Sequence, residues 1–572
     1  MFREIVAAAG YDRDMKHMLR LALAALALVG ASVTSPVRAA DSNPVDVRIL
    51  AINDFHGNLR PPAGGIRITD PDDNTKKIAV PAGGAEYMAT LVRALREGHA
   101  NTIFVAAGDL IGASPLLSAL FHDEPTIESL SMMGLAVASV GNHEFDEGKD
   151  ELLRMQNGGC HPVDKCQGPH PFDGAKFHYL AASTVDTATG KTVFPPYEIH
   201  SFDGIPVAFI GLTLKGTAGI ISPSAASGLE FRDEAETVNA LVPELKARGV
   251  EAIVVLIHEG GWPVGDYNEC PGISGPIVDI VKKLDPAVDV VISGHTHQAY
   301  ICEIDHRLVT SGDKFGTLVT AIDLKLDPTT RDVISAKADN VIVRNTLARD
   351  AAQTALIAAY DKLAAPLANR RAGIIAETLS RAPNEAGESV LGDIIADAQL
   401  AATRAEKDGG AVVAFTNPGG IRDHINKHDD GGVSYAEIFT SQPFRNRLVT
   451  LTLTGNQIKT MLEQQWQPQD PKRVRILQVS KGFSYAYDDS KPLGERIIAD
   501  SMSLNGERID PAKSYRVTVN DYLSTGGDDF TALTEGRAQQ LSVYDADALY
   551  AYFQANSPIS PTPVDRIKRS NQ

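Results

Sequence analysis

Five apolar runs of this chain end in side chains that bind metal ions or move protons. VRILAI (47–52) leads to Asp54 and His56, TIFVAA (102–107) to Asp109, and VASV (137–140) to Asn142, His143 and Asp146. AIVVLI (252–257) runs into His258, and VDVVIS (288–293) into His295 and His297. The donors are hard oxygen and imidazole with no thiolate, a mixture suited to zinc, manganese, cobalt or magnesium rather than a soft metal. Their number fits two ions better than one. Asp54, His56 and His297 form one candidate set, Asn142, His258 and His295 the other, and Asp109 bridges them. Paired ions about 3.5–4 Å apart generate hydroxide at neutral pH and clamp the oxygens of a displacement at phosphorus. His143 follows a ligand Asn without being needed as a ligand, so it is free to protonate a leaving group or to stabilise charge on a phosphoryl group. Asp146, three residues on, is placed to hold the His143 imidazole in one tautomer. Any one of these fragments is common by chance; five strand ends in order are not.

To bring such residues together the chain needs a layered α/β scaffold. Near-continuous apolar runs, including FHYLAA (177–182) and VAFIGL (207–212), read as strands buried on both faces. Open α/β sheets present their sites at the carboxyl ends of the strands. Amphipathic stretches at 86–96 and 234–248 read as the intervening helices. The Ala-rich segment 346–370 has no glycine and only Pro366 near its end, which predicts a long connecting helix. After it come a helical stretch at 389–406 and strands near 412–415, 448–453, 475–479 and 515–519, an α+β pattern.

The composition is that of a folded globular chain: 572 residues, 43% hydrophobic and 22% charged, with net charge −18. That balance excludes an electrostatic footprint for nucleic-acid polymers. A basic start, a short apolar run and Val37-Arg38-Ala39 make residues 1–39 a secretory signal peptide, with no stable membrane anchor after cleavage. The mature protein is therefore expected in the periplasm or outside the cell. Four cysteines in an exported chain suggest two disulfides, of which Cys160–Cys166 and Cys270–Cys302 are the expected pairs among three possible connectivities. The sequence does not fix the oligomeric state.

In order along the chain, DFHG, GDxxxxS, GNHEFD, the isolated His258 and GHTH resemble the calcineurin-like metallophosphoesterases. With the signal peptide and the second half, the resemblance narrows to the bacterial periplasmic 5′-nucleotidase / UDP-sugar hydrolase family and covers nearly the whole mature chain. It implies a four-layer α/β metallophosphoesterase domain (45–345), a linker helix (346–370), and a smaller α+β C-terminal 5′-nucleotidase domain (371–565) carrying substrate specificity. It also implies two divalent ions on the sets above and a catalytic His143–Asp146 dyad. Members often carry Gln where this chain has His297.

NPGGIR (417–422) resembles the family's NGGGIR, and 522–528 resembles its FLxxGGD loop. By that match Asn417 and Arg422 contact the nucleotide, Phe444 and Tyr522 stack on the base, and Asp528 binds the ribose. Tyr522 stands where Phe is usual. One or two arginines expected just before 388–392 are missing, with only Arg381 nearby. The resemblance further implies rotation of the second domain about a hinge near 346–375. The implied activity is phosphate release from nucleoside 5′-monophosphates, small-molecule substrates, with UDP-sugar cleavage as a second reaction. The alternatives are a 2′,3′-cyclic-nucleotide 2′-phosphodiesterase/3′-nucleotidase and a catalytically silent binding protein on the same scaffold.

Overall fold

Alternate residues of the buried runs face two different cores. In β1 (Val45–Ile52), Val47, Ile49 and Ala51 join one apolar cluster while Leu50 and Ile52 join another. The same alternation holds in β2 (Thr102–Ala107), where Ile103 and Val105 part from Phe104 and Ala106. A strand packed on both faces has no solvent side, which is why the sequence shows unbroken apolar runs. The computed structural model describes residues 43–467 and 474–570, so the signal-peptide segment lies outside the described residues.

Ten more strands follow: β3 (Val137–Ser139), β4 (His178–Leu180), β5 (Tyr197–Phe202), β6 (Ile205–Thr213) and β7 (Ala252–His258), then β8 (Val290–Ser293), β9 (Ala299–Ile304), β10 (Arg307–Gly312), β11 (Leu318–Leu326) and β12 (Val333–Ile342). They build two six-stranded sheets, ordered β12-β11-β1-β2-β3-β4 and β9-β10-β8-β7-β6-β5. The central strands of each sheet run parallel; antiparallel strands close both edges of the second sheet and the β11–β12 edge of the first, whose other edge strand, β4, is parallel to β3. The cluster holding Ile49, Val105, Val254 and Ile292 lies between the sheets. Outside the first sheet sit α1 (Ala85–Arg96), α2 (Glu124–Met132) and α3 (Lys149–Asn157); outside the second sit α4 (Glu234–Ala247) and α5 (Pro276–Val281). Helix, sheet, sheet and helix make four layers, as expected. Fully burying one such side chain stabilises the fold by about 1.5–3 kcal/mol.

The long helix forms as α6 (Ala351–Ala368), starting late because Asp350 caps it, its carboxylate accepting from the N–H groups of Ala352 and Gln353 at 3.0 and 3.1 Å. It packs on α2, where Gln353 and Ser129 exchange two hydrogen bonds and the Tyr360 hydroxyl donates to Glu128. Beyond it, α7 (Val390–Thr403) is capped by Ser389 and buried on nearly every side. It lies against a five-stranded sheet of β13 (Val413–Thr416), β14 (Arg447–Thr454), β15 (Gln478–Val479), β16 (Ser514–Asn520) and β17 (Arg537–Tyr544), ordered β15-β13-β16-β14-β17. The strand expected at 475–479 shrinks to Gln478–Val479. Its earlier backbone N–H groups go instead to Gln465, Arg475 to the carbonyl and Leu477 to the side chain. From Val45 onward the chain forms one compact unit, and Leu116 of the first half shares a core cluster with Ile394, Ile438 and Phe553 of the second.

Cys160 is bonded to Cys166 and Cys270 to Cys302. The second bridge spans 32 residues and ties the loop after β7 to buried β9. Chain-entropy arguments assign a ring of that size about 3–4 kcal/mol. The Cys270→Ser/Cys302→Ser double variant should therefore lose about that much in denaturant unfolding under oxidising conditions. An unchanged midpoint would show that the loop is held by packing alone.

Candidate active site

The carboxyl ends of β1, β2, β3, β7 and β8 converge where the two sheets meet, and the loops leaving them bend sharply. Asp54, His56, Asp109, His295 and His297 all take positive φ, between 46° and 69°. Five non-glycine residues in the left-handed region cost of order 1–3 kcal/mol each, a strain that clusters at functional sites. Two glycines of the GD and GN turns admit the close approach. A Cβ on Gly108 would sit 2.7 Å from His258 Nδ1, and one on Gly141 would sit 2.1 Å from Asp109 Oδ1.

Two groups of donors result. Asp54, His56 and His297 form one, and Asp109, His258 and His295 form the other, with the ligand atoms of each group within 4.8 Å of one another. His297 Nε2 lies 3.3 Å from Asp54 Oδ1, His56 Nε2 lies 3.7 Å from Asp109 Oδ2, and His258 Nε2 lies 2.9 Å from that same oxygen. Asp109 thus touches both groups. His56 Nδ1 donates to the Gly112 carbonyl at 2.9 Å and His258 Nδ1 to the Ala107 carbonyl at 2.8 Å, which leaves each Nε2 facing inward. Asn142 is 2% exposed, and its buried Oδ1 has no hydrogen-bond partner among the described residues.

The electrostatics ask for cations. Burial, with neighbouring positive groups, holds the His56 and His297 imidazoles well below their ordinary range, so both are neutral while their Nε2 atoms face each other at 3.1 Å. Burial would also depress His258, but the Asp109 and Asp54 carboxylates raise it to about 10. In the ion-free chain a proton on His258 therefore balances part of the buried negative charge. Neutral imidazoles, an unpartnered amide oxygen and a shared carboxylate fit a pair of divalent ions.

Beside this set, His143 Nδ1 lies 2.9 Å from Asp146 Oδ2, and the His143 backbone N–H donates to Asp109 Oδ1 at 2.9 Å. Burial opposes the charged imidazole, but Asp146 and Asp109 overcome it and raise His143 above its ordinary value. Glu144 is a residue that the sequence reading passed over. Its carboxylate accepts from the backbone N–H groups of Asp109, Leu110 and Gly141, locking two ligand loops together. Its place in GNHEFD, as a carboxylate in an otherwise buried turn, was the available signal.

The second half closes over the first. The Phe444 ring lies 5.6 Å from the His143 ring and nearly parallel to it, and the Arg422 guanidinium lies 5.7 Å from the Phe444 ring. Asn417 and Asn520, at the carboxyl ends of parallel neighbours β13 and β16, are bonded to each other, and Asn417 Nδ2 donates to Asp528 Oδ2 at 2.9 Å. Tyr522 uses the hydroxyl that a Phe would lack to donate to Asp528 Oδ1 and to accept the Asp528 N–H. Arg475, unforeseen, places Nε 3.3 Å from Asp528 Oδ1. A cation opening an otherwise apolar run was its only trace in the sequence.

One cavity of about 750 Å³ joins these parts. It is lined by Asp109, Asn142, His143, Asp146, His295 and His297 from the first half, and by Asn417, Arg422, Phe444, Tyr522 and Asp528 from the second. Asp54, His56 and His258 lie beneath its floor, fully buried. Trp262 and the 214–224 segment form a further wall that the sequence reading did not anticipate.

Comparison with known proteins agrees with this architecture. The calcineurin-like phosphoesterase profile matches residues 47–299, and the profile of the 5′-nucleotidase C-terminal domain matches residues 366–535. Endonuclease YhcR of Bacillus subtilis is 32% identical over 92% of this chain, which spans only 41% of that longer protein. Cell wall protein Lmo0130 of Listeria monocytogenes is 31% identical, covering 94% of this chain and 70% of its own length. The crystal structure of a 5′-nucleotidase precursor from Thermus thermophilus superimposes with a TM-score of 0.75 at 25% identity, covering 92% of this chain and 100% of that one. A donor set for paired ions on one half, facing a second half of this kind, places the chain in the 5′-nucleotidase family, metal-dependent phosphoric monoester hydrolases that couple a calcineurin-like phosphoesterase domain to a 5′-nucleotidase C-terminal domain.

Proposed function

We propose that the chain is an exported hydrolase that releases phosphate from nucleoside 5′-monophosphates. The observation that carries this reading is the shared cavity: metal donors and the His143–Asp146 pair on one wall, two aromatic rings, an arginine and a carboxylate on the other. Asp54, His56 and His297 would hold one divalent ion, Asn142, His258 and His295 a second, and Asp109 both. When bound, such ions supply Lewis acidity to phosphoryl oxygens and lower the pKa of water.

The chain's own groups do the rest. Asp146 fixes Nδ1–H of His143, so Nε2 carries the proton that the departing 5′ alkoxide needs. Arg422 is half-buried in the cavity wall, with no carboxylate bonded to it among the described residues, and offers a planar pair of donors to the phosphate. Phe444 and Tyr522 supply faces for the base and Asp528 an acceptor for ribose hydroxyls, with Arg475 and Asn417 holding that carboxylate in place. Net charge −18 does not oppose an anionic substrate, because two ions and Arg422 set the local potential. That all seven proposed donor positions carry donor side chains supports a hydrolase over a silent scaffold.

The test is phosphate release by metal-loaded mature protein from AMP, 3′-AMP, cyclic 2′,3′-AMP and UDP-glucose. AMP should give the highest kcat/KM. Preference for the 3′ or cyclic compounds would transfer the chain to that neighbouring activity, and silence with every metal would remove the hydrolase reading. Phe444→Ala should raise KM for AMP about 5–150-fold, from a stacking loss of roughly 1–3 kcal/mol, while leaving kcat for a small aryl phosphate unchanged. An unaltered KM would remove Phe444 from the base site.

A further inference from the structure

A third group of side chains able to hold a metal lies apart from the two at the cavity floor. His122, Glu147, Glu151 and His161 bring one ligand atom each to within 4.8 Å of the others. They arrive from separate places: His122 from the turn before α2, Glu147 from the residue after Asp146, Glu151 from the first turn of α3, and His161 from the loop closed by Cys160–Cys166. His122 Nδ1 sits 2.7 Å from Glu147 Oε2, and His122 Nε2 sits 3.0 Å from Asp164 Oδ2. The two imidazole rings are parallel with centroids 3.9 Å apart, and His161 Nε2 is 4.0 Å from Glu151 Oε2.

Charge is unbalanced there. Glu124, Glu147, Glu151 and Asp164 surround the two rings, and among the described residues Arg154 is the one guanidinium bonded to this group, through Glu124 and Glu151. His122 lies between two of these carboxylates, Glu147 and Asp164, with its ring stacked on that of His161. A dication held by the two imidazoles and the carboxylates offsets the excess negative charge.

We propose that His122, Glu147, Glu151 and His161 form a separate centre for a single divalent ion of the zinc, cobalt or nickel type. Two imidazoles with two carboxylates suit those ions better than calcium or magnesium, which prefer all-oxygen shells. Loading turns the His161 ring out of its stack and releases the bond that its Nδ1 accepts from the Asp164 N–H. The ion ties the disulfide loop to the first turn of α3 and to Glu147, and so braces the backbone that presents Asp146. Its role is to position, not to react.

The full chain, stripped by chelator and reloaded with zinc, gives the test through ion counting by native mass spectrometry. His161→Ala and, separately, Glu147→Gln should each bind one equivalent fewer than wild type. His306→Ala, which removes a ring that is 95% exposed beside Glu303, should match wild type. Melting curves in chelator, where no variant holds ions, verify that each one folds. Equal equivalents in wild type, His161→Ala and Glu147→Gln would overturn the centre, as would loss of the same equivalent in His306→Ala. The readout is a difference, so it stands whatever number of ions the Asp109-bridged set takes and whatever substrate is cleaved.

Discussion

Replacing His143 with alanine is expected to lower phosphate release from AMP by about 10²–10⁴-fold, the usual contribution of a positioned general acid, while bound metal is retained. Retention follows from the geometry. Neither nitrogen of the His143 ring is needed by the two donor groups, and the contact to Asp109 Oδ1 comes from the backbone N–H, which alanine keeps. The loss should depend on the leaving group. An alkoxide needs a proton as it departs, whereas p-nitrophenolate does not, so His143→Ala should damage AMP turnover far more than p-nitrophenyl phosphate turnover. Asp146→Asn should fall between wild type and His143→Ala, because an amide at 2.9 Å from Nδ1 no longer stabilises the charged imidazole. Equal losses on both substrates would assign His143 to charge stabilisation and not to proton transfer.

How much of this was legible beforehand depends on the distance over which each contact is made. The strands of the first half announce themselves because burial on both faces writes an apolar run into consecutive residues, and chemistry sits in the one to six positions that follow each run. Asp54, Asp109 and His258 could therefore be grouped by one rule, that sites form at carboxyl ends. The second half obeys the same rule at Asn417 and Asn520, yet nothing local says that β13 and β16 are parallel neighbours; they are about a hundred residues apart. Arg475 and Asp528 meet by the same topology, and no periodicity links them. Glu144 escaped for a different reason. It binds only backbone N–H groups, and backbone donors carry no residue signature. The substitution of Tyr for Phe at 522 was visible in the sequence, but its consequence, a hydroxyl holding the carboxylate of Asp528, was not.

Complete removal of divalent ions should abolish turnover, by at least about 10³-fold given the several kcal/mol that such ions supply to phosphoryl transfer, and should also lower stability. Two sites, each saturated at about 100 times Kd, contribute about 5 kcal/mol together, since one such site contributes about 2.7. The loss has a pH dependence whose sign is fixed by His258. In the ion-free chain its folded-state pKa is raised to about 10 by Asp109 and Asp54 against the opposing effect of burial, whereas the unfolded value is about 6.5. Stability from that proton is fully present below about pH 6.5 and is lost as pH climbs toward 10. The ion-loaded chain keeps His258 deprotonated as a ligand and has no such loss. The gap in stability between loaded and stripped protein should therefore widen from pH 7 to pH 9, by up to about 1.4 kcal/mol per pH unit for one proton. Denaturant unfolding of both forms at several pH values measures it directly. A gap that stays constant or narrows would mean that the stripped site does not hold its charge balance through His258, and that the buried carboxylates take up the proton instead.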